Sequence, residues 1–467
     1  MPTIALNPYQ PTVEALDNGV TLLNAPSASR NVGVFLIVRA GSRDETPSTA
    51  GLAHFLEHMF FKGTTNRPTA QQIMREIDRL GASTNAYTDT EEVAYYAEGP
   101  AAALDELTDI ITDMLSNPLF KAEEVERERN VVIQELSARL SDPEGWIWDR
   151  LGTVAFGGDQ PMAWSAAGSP RVIEQVSRDE LVDYHRNFYA PQSMALVVAG
   201  GATVTRARAE ELLGGIPATR EHARVPAAWG QGDRYVASIR PVTEDEEPQV
   251  KMVLASPGIP TLDDDRSPLS VMSHILGGGM SSRLFHTVRE RNGLCYSIHA
   301  FHEGFDDTGL FAVSTAPRPQ DASRAIQLSF AEFRRMADEA VPQDELDAAK
   351  SAMIGRLLRS TETAMASARF YGGRWRAQLP LETPDDRAAA ISAVTAADVQ
   401  RVAQRMVAGL DQVRLAFVAP EDLGEELLAA TDAAGHLLFA RQLGNSLAVA
   451  ALTTIVGLAV SLTAAYA

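Results

Sequence analysis

Cysteine is almost absent from this sequence, with Cys295 alone among 467 residues. One thiol cannot form an internal disulfide, which excludes a small secreted fold held together by disulfide bonds. Cys295 lies in the apolar run GLCYSI, where a cysteine usually packs as a small buried hydrophobe. The amino-terminal run MPTIALNPYQPT lacks both the basic and the apolar stretch of a secretory signal. We therefore predict a protein body in a reducing compartment, the cytoplasm.

Basic residues are also scarce, with 41 Lys and Arg against 61 Asp and Glu and a formal net charge of −20. No run of basic residues stands out, so we expect no nucleic-acid partner. The acidity fits either plain solubility or an acidic cavity that attracts basic peptides. Because 45% of the residues are hydrophobic and 22% are charged, the composition is that of a folded protein. A chain of this length predicts two or more domains.

Charged residues are absent from the last part of the chain, 442–467. Its run LAVAALTTIVGLAVSLTAAYA reaches the length of about 20 apolar residues that one bilayer crossing needs. Arg441 precedes the run, on the side expected to stay cytoplasmic. We predict a C-terminal apolar helix that anchors the chain to the inner face of a membrane through 443–467. The Ala, Gly and Thr content leaves an alternative open, a helix buried against the body or a partner.

Two parts of the chain repeat one order of elements: strand, helix, strand, helix, helix. This order predicts an α+β fold of two homologous halves, each a mostly antiparallel sheet flanked by helices, which together form a clamshell. The predicted domains are 1–225, 235–420 and a C-terminal extension at 421–467. The join lies in a polar stretch with Pro and Gly, ATREHARVPAAWGQGD.

The run GLAHFLEHMFFKG predicts a helix with two different faces. His54, Glu57 and His58 fall on one face, and apolar residues such as Phe55 and Met59 fall on the other. Histidines one turn apart can both direct a ring nitrogen at one zinc ion, and the glutamate beside them suits a general base for the attacking water. HxxEH is the reverse of the HExxH zinc motif. Two surface histidines on an amphipathic helix remain the alternative for so short a motif.

A catalytic zinc usually takes three protein ligands, so a third is needed. Glu128 and Glu135 lie seven residues apart in the predicted helix EEVERERNVVIQELSARL. They share a face with roughly 10 Å between them, so that one can reach the metal while the other lies further along the groove. The alternative for either glutamate alone is a solvated helix face.

Several runs of this sequence resemble the pitrilysin family of inverzincins, and most of all the branch that contains the mitochondrial processing peptidase. These runs are AGSRDE, GLAHFLEHMFFKGT, LGASTNAYTD, ERERNVVIQE and RERNGLCYS. The resemblance extends over about residues 15–420. It implies a fold of two α+β halves, a metalloendopeptidase activity and a zinc cofactor.

The resemblance also implies a role for individual residues. His54, His58 and Glu135 would hold the zinc, with Glu57 as the general base and Glu128 as a supporting acidic residue of the catalytic site. Asn85 and Ala86 would pair with the substrate backbone at a sheet edge, a form of β-augmentation. Arg289 and Tyr296 would reach the substrate from the second half.

The second half has lost the metal-binding residues. When the two halves are aligned, Glu57 and His58 fall on Gly277 and Gly278, and Glu135 falls on Arg356. We therefore predict one zinc ion per chain, held by the first half alone.

These observations together predict a zinc-dependent endopeptidase that hydrolyses unstructured peptides or presequence-like segments. The expected partners are an extended peptide substrate and a second subunit, in a homodimer or in a heterodimer with a related chain. The alternative is a non-catalytic core or assembly subunit of a membrane protein complex. The presence of His54, Glu57, His58 and Glu135 favours the peptidase, because such subunits typically lack part of this set.

Overall fold

The computed structural model describes residues 10–217, 224–241 and 248–433. The first half contains a six-stranded sheet in the order β1-β2-β6-β3-β5-β4. Its strands are β1 (Thr12–Ala15), β2 (Thr21–Pro26), β3 (Asn31–Val38), β4 (Ser83–Thr88), β5 (Val93–Pro100) and β6 (Met194–Gly200). Its helices are α1 (Leu52–Phe60), α2 (Ala70–Arg79), α3 (Leu104–Ser116), α4 (Ala122–Ser141), α5 (Pro143–Phe156), α6 (Pro170–Gln175), α7 (Arg178–Phe188) and α8 (Arg206–Leu213).

The second half contains a five-stranded sheet in the order β7-β11-β8-β10-β9. Its strands are β7 (Tyr235–Ile239), β8 (Lys251–Pro257), β9 (Cys295–Gly304), β10 (Gly309–Pro317) and β11 (Arg414–Ala419). Its helices are α9 (Arg266–Gly277), α10 (Ala322–Asp338), α11 (Gln343–Arg359), α12 (Ala364–Arg376), α13 (Pro384–Ala393) and α14 (Ala396–Val407). A π-helical segment spans Phe285–Arg291, and residues 424–433 are also helical.

The two sheets share one strand order once the additional edge strand β1 is set aside. Strands β2, β6, β3, β5 and β4 correspond in place to β7, β11, β8, β10 and β9. Each sheet has one parallel pair, β2 with β6 and β7 with β11, and its other pairs are antiparallel. The predicted fold of two homologous, mostly antiparallel halves flanked by helices is confirmed. The domain boundaries at 225, 235 and 420 stay a prediction.

Each half covers one face of its sheet with its own helices and the other face with a helix from the other half. In β3, Val34 and Leu36 face the core that α1 and α3 share, whereas Phe35 and Ile37 face α12 from the second half. Helix α5 of the first half packs in the same way on β8 and β11. Burial on both faces explains why β3 reads as the nearly continuous apolar run NVGVFLIV. This exchange of helices holds the two halves together.

Helix α1 begins at a backbone geometry that few residues tolerate. Gly51 has a φ of +104°, and a Cβ there would lie 2.8 Å from the Cα of Gly168. Since glycine has no side chain to cap the helix, the carboxylate of Glu45 accepts hydrogen bonds from the backbone N–H groups of Gly51 and Ala53, each at 2.8 Å. These contacts fix where α1 starts and therefore which way its polar face points.

The predicted transmembrane helix is not supported. Among the residues that the structure describes, no helix is long and apolar enough to cross a bilayer. This finding contradicts the membrane and transmembrane predictions, and the apolar stretches 442–467 and 443–467 lie outside the described residues. The prediction was wrong because it used only the number of consecutive uncharged residues. Ala, Gly and Thr make this run less apolar than a leucine-rich span of equal length.

Candidate metal centre

Helices α1 and α4 bring three of the predicted site residues together. The Nε2 atoms of His54 and His58 lie 3.2 Å apart. One carboxylate oxygen of Glu135 lies 3.6 Å from the Nε2 of His54, and the other lies 3.4 Å from the Nε2 of His58. A tetrahedral zinc ion with bonds of about 2.0–2.1 Å holds its ligand atoms about 3.3–3.4 Å apart. The three observed separations fit such an ion.

The opposite nitrogen of each imidazole is already engaged. The Nδ1 of His54 donates to the carbonyl oxygen of Ala167 at 3.2 Å, because a carbonyl oxygen can only accept. The Nδ1 of His58 lies 2.8 Å from the carboxylate of Glu128 and donates to it. In the neutral form of both rings, this leaves two Nε2 lone pairs and a carboxylate converging on one point. Such a set repels itself unless a cation lies between its members, which is the arrangement of a metal site.

The structure distinguishes between Glu128 and Glu135 as candidates for the third metal ligand. Glu135 is half exposed and reaches the ring nitrogens directly, whereas Glu128 is buried behind His58. Burial alone would raise the pKa of Glu128, but hydrogen bonds from His58 and Lys62 hold it below its usual value. The Nζ of Lys62 lies 2.6 Å from the second carboxylate oxygen of Glu128. Glu128 therefore stays ionised and orients His58.

Glu57 lies on the same face of α1 as the two histidines. Its carboxylate accepts a hydrogen bond of 2.5 Å from the hydroxyl of Thr88, at the end of β4. Burial raises the pKa of Glu57 above its usual value, and the bond from Thr88 and the two nearby imidazoles oppose that rise. A carboxylate with a raised pKa, held in one orientation, suits proton transfer near neutral pH.

Asn85 and Ala86 lie on β4, at one edge of the first sheet. β4 pairs with β5 on one side only, and no other described strand pairs with it. The side-chain oxygen of Asn85 accepts from the backbone N–H of Ala86 at 2.9 Å. The same strand ends at Thr88, which binds Glu57. A free strand edge therefore leads directly to the metal centre.

Arg289 and Tyr296 are not joined to this cluster. The guanidinium carbon of Arg289 lies 4.8 Å from the ring centre of Tyr296 and 4.5 Å from that of Phe285. Tyr296 is 77% exposed. Within the described part of the chain, the hydrogen bonds and ion pairs of His54, His58 and Glu135 are with one another, with Ala167 and with Glu128, and not with Arg289 or Tyr296. They stack on each other at the surface of the second half.

The corresponding place in the second half carries a glycine and an arginine where the first half has His58 and Glu135. A Cβ on Gly278 would lie 2.3 Å from the Nδ1 of His274, so no larger residue fits there without a shift. The guanidinium of Arg356 donates to the carbonyl oxygen of Gly278 at 3.2 Å. Among the described residues, only His54, His58 and Glu135 form a group of three with ligand atoms close enough for a metal.

Sequence reasoning missed several residues that support the centre. Thr88 and Lys62 lay within runs already singled out, and Lys62 follows His58 by four residues, which was a usable signal. The carbonyl of Ala167 and the capping carboxylate of Glu45 gave no such signal, because their contacts depend on how distant segments pack. Burial raises the pKa of Glu45 to about 8, against the backbone hydrogen bonds that lower it.

This chain matches two descriptions of one peptidase family and is similar to several proteases. The family described as Insulinase (Peptidase family M16) matches residues 20–161, and the Peptidase M16 inactive domain matches residues 175–353. An uncharacterized zinc protease of Streptomyces coelicolor is 32% identical over 372 residues, which cover 78% of this chain and 80% of that protein. The beta subunit of the mitochondrial-processing peptidase of Lentinula edodes is 31% identical over 435 residues, covering 89% and 91%.

Solved structures show the same architecture. A protease from Helicobacter pylori superposes with a TM-score of 0.79 at 20% identity, covering 88% of this chain and all of that one. A peptidase M16 inactive domain from Pseudomonas fluorescens gives the same TM-score and identity over 88% of this chain and 99% of its own. The resemblance stated from the sequence is confirmed by the family matches and by the relatives that are named zinc proteases. On these matches, this chain belongs to peptidase family M16.

Proposed function

We propose that this chain is a zinc-dependent endopeptidase that hydrolyses unstructured peptides, including presequence-like segments, with Glu57 as the general base. One observation carries the proposal: two imidazole lone pairs and the Glu135 carboxylate converge at separations of 3.2 to 3.6 Å, on the helix face that also bears Glu57. A glutamate beside a three-ligand metal site is an arrangement that supports zinc-assisted hydrolysis of an amide.

His54, His58 and Glu135 would hold one zinc ion per chain. When bound, zinc lowers the pKa of water and polarises the scissile carbonyl. Glu57 takes a proton from the attacking water and passes it to the amide nitrogen, which leaves as an amine. Thr88 holds the carboxylate of Glu57 in place by its hydrogen bond of 2.5 Å. Glu128, kept ionised by Lys62, fixes the orientation of His58.

The free edge of β4 offers the substrate a binding mode. An extended peptide would add to it as a further strand, with backbone hydrogen bonds to the segment that contains Asn85 and Ala86. Arg289 and Tyr296 would contact the same peptide from the second half. Because main-chain pairing requires an extended chain, this mode favours unstructured peptides over folded proteins. A second subunit, identical or related, would help to enclose the substrate.

The proposal is tested by comparing an unstructured basic peptide of about 20 residues with a folded protein that contains the same segment. We expect cleavage of the free peptide at internal bonds and none of the folded protein, because only the free peptide can pair with β4. Mass spectrometry of the products distinguishes internal cleavage from the trimming of ends.

A chain that removes only terminal residues would contradict the endopeptidase assignment. Equal cleavage of both substrates would contradict the binding mode at β4. A chelator such as 1,10-phenanthroline provides the control, since cleavage by a contaminating serine or cysteine peptidase would survive it.

A further inference from the structure

An ionic cluster lies where the two halves meet. It consists of three arginines and three acids, Arg43, Arg224, Arg376, Glu91, Asp306 and Asp307, and we call it the junction cluster. Arg43 and Glu91 belong to the first half, whereas Asp306 and Asp307 form the turn between β9 and β10 in the second. The run AGSRDE, which contains Arg43, has no role in the proposed reaction.

Arg43 depends on a carboxylate from each half. Its side chain is 1% exposed, and it lies 2.5 Å from Glu91 and 2.5 Å from Asp307. Glu91, 2% exposed, is also bound by Arg376 at 2.8 Å and by the backbone N–H of Asp306 at 3.1 Å. A buried guanidinium is costly unless it is paired, and Glu91 is already shared. Asp307 is therefore the carboxylate that completes the pairing of Arg43.

The segments that carry this cluster also carry the supports of the metal centre. The backbone N–H groups of Ser42 and Arg43 donate to the carbonyl oxygens of Asp89 and Thr90, at 3.2 and 2.9 Å. The segment 42–45 ends at Glu45, which caps α1. The segment 88–91 begins at Thr88, which binds Glu57. A shift of Arg43 or Glu91 would therefore move both supports.

We propose that Asp307 is a positioning residue for the reaction. Acting through Arg43 and Glu91, it holds the segment 88–91, which begins at Thr88, and so it sets the orientation of Glu57. The second half, which has lost its own metal ligands, thus contributes to catalysis by fixing the general base of the first half. This inference rests on the proposed function, because it assigns Asp307 a task within that reaction.

The substitution Asp307→Asn tests this role. It keeps the size of the side chain but removes the charge that Arg43 needs. We expect kcat to fall on the order of tenfold, because a displaced general base slows the chemical step. KM should stay within about twofold and the zinc content should not change, because the substitution replaces neither a residue of β4 nor a metal ligand. Asp307→Glu, which retains a carboxylate, should recover most of kcat.

Asp263→Asn is the matched control, because Asp263 pairs with Arg405 within the second half alone. Amide hydrogen exchange supplies a readout that does not need activity. In Asp307→Asn, but not in the control, we expect faster exchange at 51–53 and at 88–92. Asp306→Asn serves as a second variant if the first folds poorly, because the Asp306 carboxylate binds Arg224 at 2.5 Å and Arg376 at 3.2 Å.

Faster exchange with a lower kcat supports the proposal. Unchanged exchange in Asp307→Asn overturns the proposal. Faster exchange with an unchanged kcat also overturns it. A loss of zinc equal to the loss of activity overturns it as well. A wild-type chain with no peptidase activity would overturn the proposed function, while the exchange experiment would still decide whether Asp307 supports the turn.

Discussion

Glu57→Gln is expected to abolish peptide hydrolysis and to leave zinc bound. Glutamine keeps the shape of the side chain and can still accept a hydrogen bond from Thr88, but it cannot take a proton from water. Loss of a general base costs about 10²- to 10⁴-fold in rate. Because Glu57 is not among the three converging groups, the metal content should match that of the wild type. The measurements are kcat on an unstructured peptide and bound zinc by mass spectrometry.

Glu106→Gln is the control for this variant, since Glu106 is an exposed residue in the first turn of α3 and lies outside the metal centre. Equal rates for Glu57→Gln and the wild type would refute the assignment of the base. If the wild type itself hydrolysed no peptide while retaining zinc, the alternative of a non-catalytic subunit would be favoured.

Glu135→Gln should remove zinc as well as activity. Glu135 contributes one of the three converging groups, and an amide oxygen is a much weaker ligand than a carboxylate for this ion. Loss of a residue that only orients a ligand costs about 10- to 100-fold in metal affinity, so loss of a ligand should cost more than about 100-fold. A competition titration against a chelator of known affinity measures the change.

Glu128→Gln and Glu124→Gln form the matched series on the same helix. Glu128 orients His58 without facing the other ligands, so its loss should weaken zinc binding only by about 10- to 100-fold. Glu124 pairs with the exposed Arg127, and its substitution should change nothing. If Glu128→Gln released zinc while Glu135→Gln kept it, the ligand assignment would have to be exchanged between the two glutamates.

The sequence predicted much of the architecture because the duplication left two copies of one pattern. The helix predicted over EEVERERNVVIQELSARL is found at Ala122–Ser141. In α1, helical periodicity separates an apolar face from a face of His54, Glu57 and His58. The periodicity alone therefore groups these three residues and directs them away from the core.

Contacts between distant segments could not be predicted from the sequence. Spacing placed Glu128 and Glu135 on one face of α4, but only the packing of α4 against α1 shows that Glu135 reaches both imidazoles. Thr88 meets Glu57 across 31 positions of sequence, and Arg43 meets Asp307 across 264. Such pairs follow from how sheets, turns and halves pack, and no local period encodes them. Arg289 and Tyr296, which the resemblance assigned to the substrate, contact each other in the structure.

Titration of the metal-free wild-type chain with zinc tests the central claim most directly. The protein is stripped with a chelator, zinc is added in fractions of one equivalent, and hydrolysis of the unstructured peptide is followed at each step. We predict no hydrolysis at zero zinc and a linear recovery that ends at one equivalent per chain, since the described residues offer a single group of three ligands. Activity that survives in the stripped chain, or recovery that requires two equivalents, would contradict the account.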